Sequence, residues 1–354
     1  MGNAYDYVQW RSDLTFEQSP LNEVDIFLFS QISIPDFSGI IAKDEASVTL
    51  EKAMHRYFET HNANVRNLGV LQSDIVLPIL KMMSKSARYK NLQLSRYITR
   101  VRKDKAEQFC GITIENPGKF VCIAFQGTDD TIIGWKEDFT LAAKATVVAH
   151  LDAVKYVKKA LSTSDAPRVY ICGHSKGGNL SLYSAVNSEA EIRSRITMAF
   201  SFDGPGFRAE FFENEAYEEM KNRLVTIVSC NSTVGMMLKR AGRLAIVKTD
   251  TTGPLAHDTF KWDVMGPKFV KTTKLSKASE KFDKLIDDIL ENMDEKTRTG
   301  FIEELFDTLL STGAVTLTDL QDLSLIDKAD LLIKVTKDKQ VYAFIKNVIE
   351  CMMR

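Results

Sequence analysis

The chain has 354 residues, 44% hydrophobic and 26% charged, with a formal net charge of −1. That length accommodates one large α/β domain with additions, and the near-neutral balance gives no global field to draw in nucleic acid or an anionic membrane. Five scattered cysteines, an odd number without paired spacing, argue for free thiols in a reducing compartment rather than a disulfide framework.

The opening MGNAYDYVQWRSDLTFEQSP has no basic n-region and no long apolar segment. Asp6 stands where a myristoylation signal needs Ser or Thr, and no run reaches the length of a membrane span, so the expected location is cytoplasmic. Residues 1–20 read as an irregular lead-in and residues 21–41 as the start of a densely apolar helix. Residues 47–62 and 73–84 carry helical spacing; His55 and His61 in the first of these read as surface residues. The basic run 88–105 reads as a solvated edge. Strand-like runs at 110–115 and 120–125 flank Asn116-Pro117-Gly118, a hairpin turn. An amphipathic helix over 147–161 follows, then apolar runs at 169–172, 196–202, 224–229 and 244–248, with 207–222 helical between two of them. This alternation predicts a mostly parallel, doubly wound sheet. From residue 276 the pattern turns to amphipathic helices, around 282–293, 297–310, 317–325 and 329–353. The expected organisation is a helical lead-in over 1–108, an α/β core over 109–272 and a helical region over 273–354.

The chemistry gathers at 168–179, RVYICGHSKGGN. A short apolar strand runs into G-x-S-x-G and then a helical pattern, the context that presents a serine on a strained turn at a sheet edge. Gly173 and Gly177 are needed where strand and helix approach too closely for a Cβ. Ser175 is then the candidate nucleophile, and the backbone N–H of Lys176 points to the same spot. A serine needs a base and the base an orienting acid. Of five histidines, His55 and His61 precede the core, His150 lies in a helix and His174 belongs to the turn. His257 follows the last sheet strand in a Gly-Pro loop and is the candidate base. For the acid, Asp203 directly after the 196–202 strand leads, with Asp250, Asp258, Asp263 or no acid left open. A second oxyanion donor should come from Phe125-Gln126-Gly127-Thr128, where Gly127 permits close approach and Thr128 adds a hydroxyl. Trp135 and Asp138 follow as a buttress, in a stretch (131–148) placed to act as a lid. No metal set, dinucleotide fingerprint or P-loop is visible, so no cofactor is expected.

Together these residues resemble the class 3 lipase branch of the α/β-hydrolases. Phe125-Gln126-Gly127-Thr128 with Trp135 and Asp138 is similar to its F-R-G-S/T block and downstream W-x-x-D. Gly173-His174-Ser175-Lys176-Gly177-Gly178 resembles its G-H-S-L-G-G. More closely still, GTDDTIIGWKEDF, GHSKGGN, DGPGF and AHDTFKW resemble the bacterial Mbeg-like family of predicted hydrolases, over residues 21–267. The resemblance implies an α/β-hydrolase fold, a mostly parallel sheet flanked by helices, with Ser175 as nucleophile, His257 as base and Thr128 and Lys176 as oxyanion donors. Gly127, His174, Gly173, Gly177, Trp135 and Asp138 would support them. Three departures stand out: Lys176 for leucine, placing a cation beside the nucleophile; Gln126 for arginine; and no carboxylate in Asn231-Ser232-Thr233-Val234, where the lipase aspartate falls. The expected activity is hydrolysis of a carboxylic ester of a small acyl or lipid substrate. Alternatives are a binding protein on a weakened hydrolase frame, and a thioesterase or acyltransferase whose phosphate-bearing carrier meets Lys176 and the basic run. A protein partner or self-association through the C-terminal helices is left open.

Overall fold

The computed structural model describes residues 1–42, 46–61, 73–281, 283–284, 294–316 and 318–319. In chain order the elements are α1 (Ala4–Arg11), α2 (Glu23–Ile32), β1 (Val48–Thr49), α3 (Leu50–Thr60), α4 (Val76–Met83), β2 (Gln93–Arg102), β3 (Glu107–Asn116) and β4 (Phe120–Phe125). There follow α5 (Ile132–Ala143), α6 (Val148–Leu161), β5 (Val169–His174), α7 (Lys176–Asn187), α8 (Ala190–Arg195), β6 (Ile196–Phe202), α9 (Ala209–Phe212) and α10 (Glu215–Met220). The described chain ends with β7 (Leu224–Ser229), β8 (Arg243–Val247), β9 (Val264–Met265), β10 (Lys268–Phe269), β11 (Lys271–Thr272), the helical residues 277–281 and 283–284 (α11) and α12 (Glu295–Leu310). Of the expected C-terminal helices, those around 282–293, 317–325 and 329–353 lie outside the described residues, apart from 283–284 and 318–319.

Among the described residues the strands form one nine-stranded sheet in the order β1-β2-β3-β4-β5-β6-β7-β8-β11, with β9 and β10 as a separate antiparallel pair. β4 to β8 form the expected parallel centre; β1, β2, β3 and β11 add antiparallel pairings at both edges, so that centre is extended into a mixed sheet. It takes in β1 and β2 from the stretch read as a helical lead-in. The doubly wound expectation is corrected as well. β4 to β8 follow one another in sequence order, and crossovers of one hand then all fall on the same face. α6 and α7, with the short 209–220 helices, do pack there.

β4, FVCIAF, is buried on both sides, as a central strand must be. Its alternate residues Val121, Ile123 and Phe125 join the α6–α7 core, while Phe120, Cys122 and Ala124 face the opposite layer. That opposite layer is built by the N-terminal segment. α2 buries nearly every residue against the sheet, and Asn22 caps it, accepting from Val24 N–H at 3.0 Å. Residues 1–20 are more ordered than expected: Asn3 and Asp6 form a reciprocal capping box that starts α1. Arg88 is the other surprise. The basic run it opens was expected on the surface, but its guanidinium lies buried against Asp25, with Nε–Oδ1 at 2.9 Å and Nη2–Oδ2 at 2.5 Å. It also donates to the carbonyls of Leu14, Thr15, Ser19 and Pro20, while Tyr7 and Tyr89 donate their hydroxyls to Asp25. One buried pair thus fastens the lead-in to the core.

The described C-terminal part packs on α5. Ile302, Leu305 and Phe306 of α12 and Ala314 cluster with Ile132 and Ala143, with Trp135 and Phe139 against them. The chain beyond α12 is tied to the start of α5 by Ile132 N–H to Val315 O at 2.9 Å and Thr318 N–H to Asp130 Oδ2 at 3.2 Å. No helix among the described residues is long and apolar enough to cross a membrane.

Removing one member of a buried, hydrogen-bonded ion pair leaves the other charge uncompensated. Asp25→Ala is therefore expected to lower unfolding stability by about 3–5 kcal/mol, read as a fall in the urea midpoint.

Candidate active site

The turn between β5 and α7 is a tight close approach. A Cβ on Gly173 would lie 2.1 Å from the Gly177 carbonyl, and one on Gly177 would lie 2.1 Å from Phe125 O at the end of β4. Only hydrogens fit there, so the first turn of α7 comes down directly onto the ends of both strands. Ser175, at the bend, takes φ 56° and ψ −130°, a region a non-glycine residue occupies at a cost of about 1–3 kcal/mol. Its N–H is held by Phe202 O at 2.9 Å, at the end of β6.

Asp203 follows β6 immediately, in the left-handed region at φ 49°, with its N–H on Ile227 O at 2.8 Å. Its side chain is fully buried, and Oδ2 lies 2.7 Å from His257 Nδ1. The carboxylate can only accept, so Nδ1–H donates to it. His257 ends a 3₁₀ segment, Gly253–His257. His174, beside Ser175, donates from Nε2 to the His257 carbonyl at 3.0 Å, and the two rings lie 4.5 Å apart. Burial, then the neighbouring His257, pushes the His174 pKa down to about 3, so it stays neutral in this role. The other aspartates serve elsewhere. Asp258 caps Phe260 N–H and accepts from Ser73; Asp250 is exposed, and Asp263 is tied into the strand pairing through its backbone. The 231–234 stretch supplies local bonds only: Asn231 donates to Thr251 O at 2.7 Å and Ser232 accepts from Gly235 N–H. No hydrogen bond joins Ser175 Oγ to His257.

On the other side of Ser175 lies the 126–130 loop. A Cβ on Gly127 would sit 2.8 Å from His174 O and 3.2 Å from Ser175 Cβ, so this backbone passes against the bend. Thr128 is buried, and its hydroxyl donates to Asp138 of α5. The Asp138 carboxylate is enclosed, Oδ1 having no hydrogen-bond partner among the described residues. Burial pushes its pKa up to about 6, against the opposing pull of Lys176 and the Thr128 hydroxyl. Trp135 points the other way, into the α5–α12 cluster.

Lys176 begins α7, but its ammonium does not sit beside Ser175 as expected. It is turned inward, 1% exposed, 3.0 Å from Glu137 Oε2 and 2.8 Å from Gln108 O, with Gln108 Oε1 as a third acceptor. Burial depresses its pKa, but Glu137, then Asp138 and Asp129, outweigh that and hold it above its ordinary value. The phosphate-receiving role suggested for this lysine therefore has no exposed cation to rest on. Glu137, Gln108 and the pair His150–Asn179 were not singled out in the sequence. His150 Nε2 donates to Asn179 Oδ1 at 2.6 Å, and Asn179 donates to Pro205 O at 3.2 Å and Gly206 O at 2.9 Å, pinning the loop after Asp203. Burial pushes His150 down to about 4. The available signal was the lysine itself: an ammonium turned into the interior requires a carboxylate, and Glu137 adjoins Asp138.

A cavity of about 700 Å³ lies between the start of α2 and the N-terminal ends of β5 to β8, lined by Ile26, Tyr170, Met198 and Val225. One of about 270 Å³ lies among α5, α6 and α12. Neither includes Ser175, and the strained bend with its bonded Asp–His pair, rather than cavity size, locates the candidate site.

The fold and site define an α/β protein with a serine elbow at the C-terminal edge of its parallel strands. The family profile described as Mbeg1-like matches residues 83–307, well over half of the chain, and the protein belongs to that family. No curated protein matches it. Among solved structures it is similar to the crystal structure of M37 lipase, at 15% identity and a TM-score of 0.38, over 62% of this chain and 71% of that one; a likeness so distant bears no argument about activity.

Asp138 supports a pH prediction. Its folded-state pKa lies above the 3.8 of an ordinary aspartate, so the native state holds the proton more tightly and the ionised form costs stability. That cost is absent near pH 4 and fully present above about pH 6. Asp138→Asn is expected to unfold at higher urea than the parent at pH 8, by about 1–3 kcal/mol, with the gap closing by pH 4.

Proposed function

We propose that this protein is a serine hydrolase of the α/β-hydrolase type, cleaving carboxylic esters through an acyl-enzyme. The observation that carries the reading is the 2.7 Å contact between buried Asp203 and His257 Nδ1, next to a serine held at φ 56°. In this mechanism Ser175 Oγ attacks the carbonyl carbon while His257 Nε2 takes its proton, and the Asp203 carboxylate stabilises the imidazolium. The backbone N–H groups of Thr128 and Lys176 receive the oxyanion. The tetrahedral adduct collapses, Nε2–H protonates the leaving alkoxide, and a water activated by the same nitrogen releases the acid. No cofactor takes part. His174, bonded to the His257 carbonyl, acts as the brace that keeps the base against the elbow.

A second reading, a binding protein on the same frame, draws on the missing hydrogen bond between Ser175 and His257. Such contacts often tighten only once substrate is bound. Labelling decides between the two. A fluorophosphonate probe should attach to Ser175 in the parent protein and not in Ser175→Ala, whose turnover of a p-nitrophenyl acyl ester should fall by about 10⁴-fold or more. Folded parent protein that neither labels nor turns over ester would overturn the hydrolase reading in favour of the binding one.

A further inference from the structure

Resting on that reading, we infer that Gln108, held by the buried Lys176–Glu137 pair, is a positioning residue for the oxyanion hole. The Lys176 ammonium has three N–H groups and three acceptors: Gln108 O, Gln108 Oε1 and Glu137 Oε2. Glu137 in turn accepts from Gln108 N–H at 3.1 Å and from Ala149 N–H at 3.2 Å. Both side chains of the pair are 1% exposed.

The consequence for the site follows from the Gln108 amide. With Oε1 fixed on the ammonium, Nε2 must point the other way, and there it meets Gly127 O at 3.5 Å. The Gly127 carbonyl and the Thr128 N–H belong to one planar trans peptide, so their bonds point in opposite directions. Anchoring the carbonyl on Gln108 therefore turns the Thr128 N–H away from Gln108. Lys176 contributes its own N–H from the same residue that carries the ammonium, so one side chain ties down both donors.

Stability alone does not account for the pair. A well-packed apolar pair of similar volume is often as stable as a buried ion pair, or more so. Consecutive residues of α5 thus act on the two donors by separate routes, Asp138 through the Thr128 hydroxyl and Glu137 through Lys176 and Gln108.

The test uses full-length protein, a p-nitrophenyl ester and a trifluoromethyl ketone of the same acyl chain, which forms a tetrahedral adduct with the serine. Gln108→Met should lower kcat and ketone affinity in parallel, roughly tenfold to hundredfold, less than loss of a whole donor. KM and the pH at half-maximal kcat/KM, which report substrate binding and His257, should stay unchanged. The paired replacement Lys176→Leu with Glu137→Gln, which keeps an acceptor for the Gln108 and Ala149 N–H groups, should show the same kcat loss, and it carries the test if Gln108→Met fails to fold. An active parent whose folded variants keep kcat and ketone affinity within twofold overturns the inference alone. A parent that neither labels nor turns over overturns the hydrolase reading, and this inference with it.

Discussion

The site depends on how closely α7 approaches the sheet. With hydrogens alone at positions 173 and 177, the helix begins against Phe125 O and the end of β5. That contact forces Ser175 into its unusual dihedral angles, brings the 126–130 loop alongside and leaves the ends of β4, β5 and β6 within reach of one another. Asp203 arrives because β6 is the next parallel strand, and its N–H is taken by β7. Each group is placed by backbone geometry first and by its side chain second. A Cβ at either glycine would therefore disturb all of them together.

Two buried ion pairs stand on opposite sides of the sheet and do different work. Asp25 and Arg88 gather two tyrosines and four carbonyls of the 14–20 stretch, a set that closes the N-terminal layer over the core. Lys176 and Glu137 join α7, α5, β3 and α6 at the edge where the serine is presented. In both, every carboxylate oxygen has a donor, which is the condition for keeping charge in a low-dielectric interior.

Much of this was legible in the residues, for identifiable reasons. β4 to β7 are short apolar runs because they are buried or nearly so on both faces, and such runs stand out against charged helices. The elbow and the family were carried by local motifs, and the family is borne out by the match over 83–307. β2 was not seen: its alternation is hidden by Arg96, Arg100 and Arg102, and its register shifts between Ser95 and Ile98 beside the positive φ of Arg96. The sequence left several aspartates as partners for His257, since which of them reaches the ring depends on where β6 ends relative to the loop after β8. Lys176 misled for a related reason. Sequence position placed its backbone at the site, while the direction of its side chain was decided by Glu137, 39 residues away.

The contact between α5 and the C-terminal part has a bearing on how the chain is made. Lys136 and Asp307 pair across 171 residues, and Asp130 and Thr318 across 188. Ile132, Trp135 and Phe139 therefore leave the ribosome long before Ile302, Leu305 and Phe306 exist to cover them. At ordinary synthesis rates of about 5–20 residues per second, that interval lasts on the order of ten seconds or more. During it the helix that carries Glu137 and Asp138 exposes an apolar flank on the nascent chain. The serine's strand and turn can form within a short span of sequence, whereas the layer beside the 126–130 loop is among the last parts of the described fold to close.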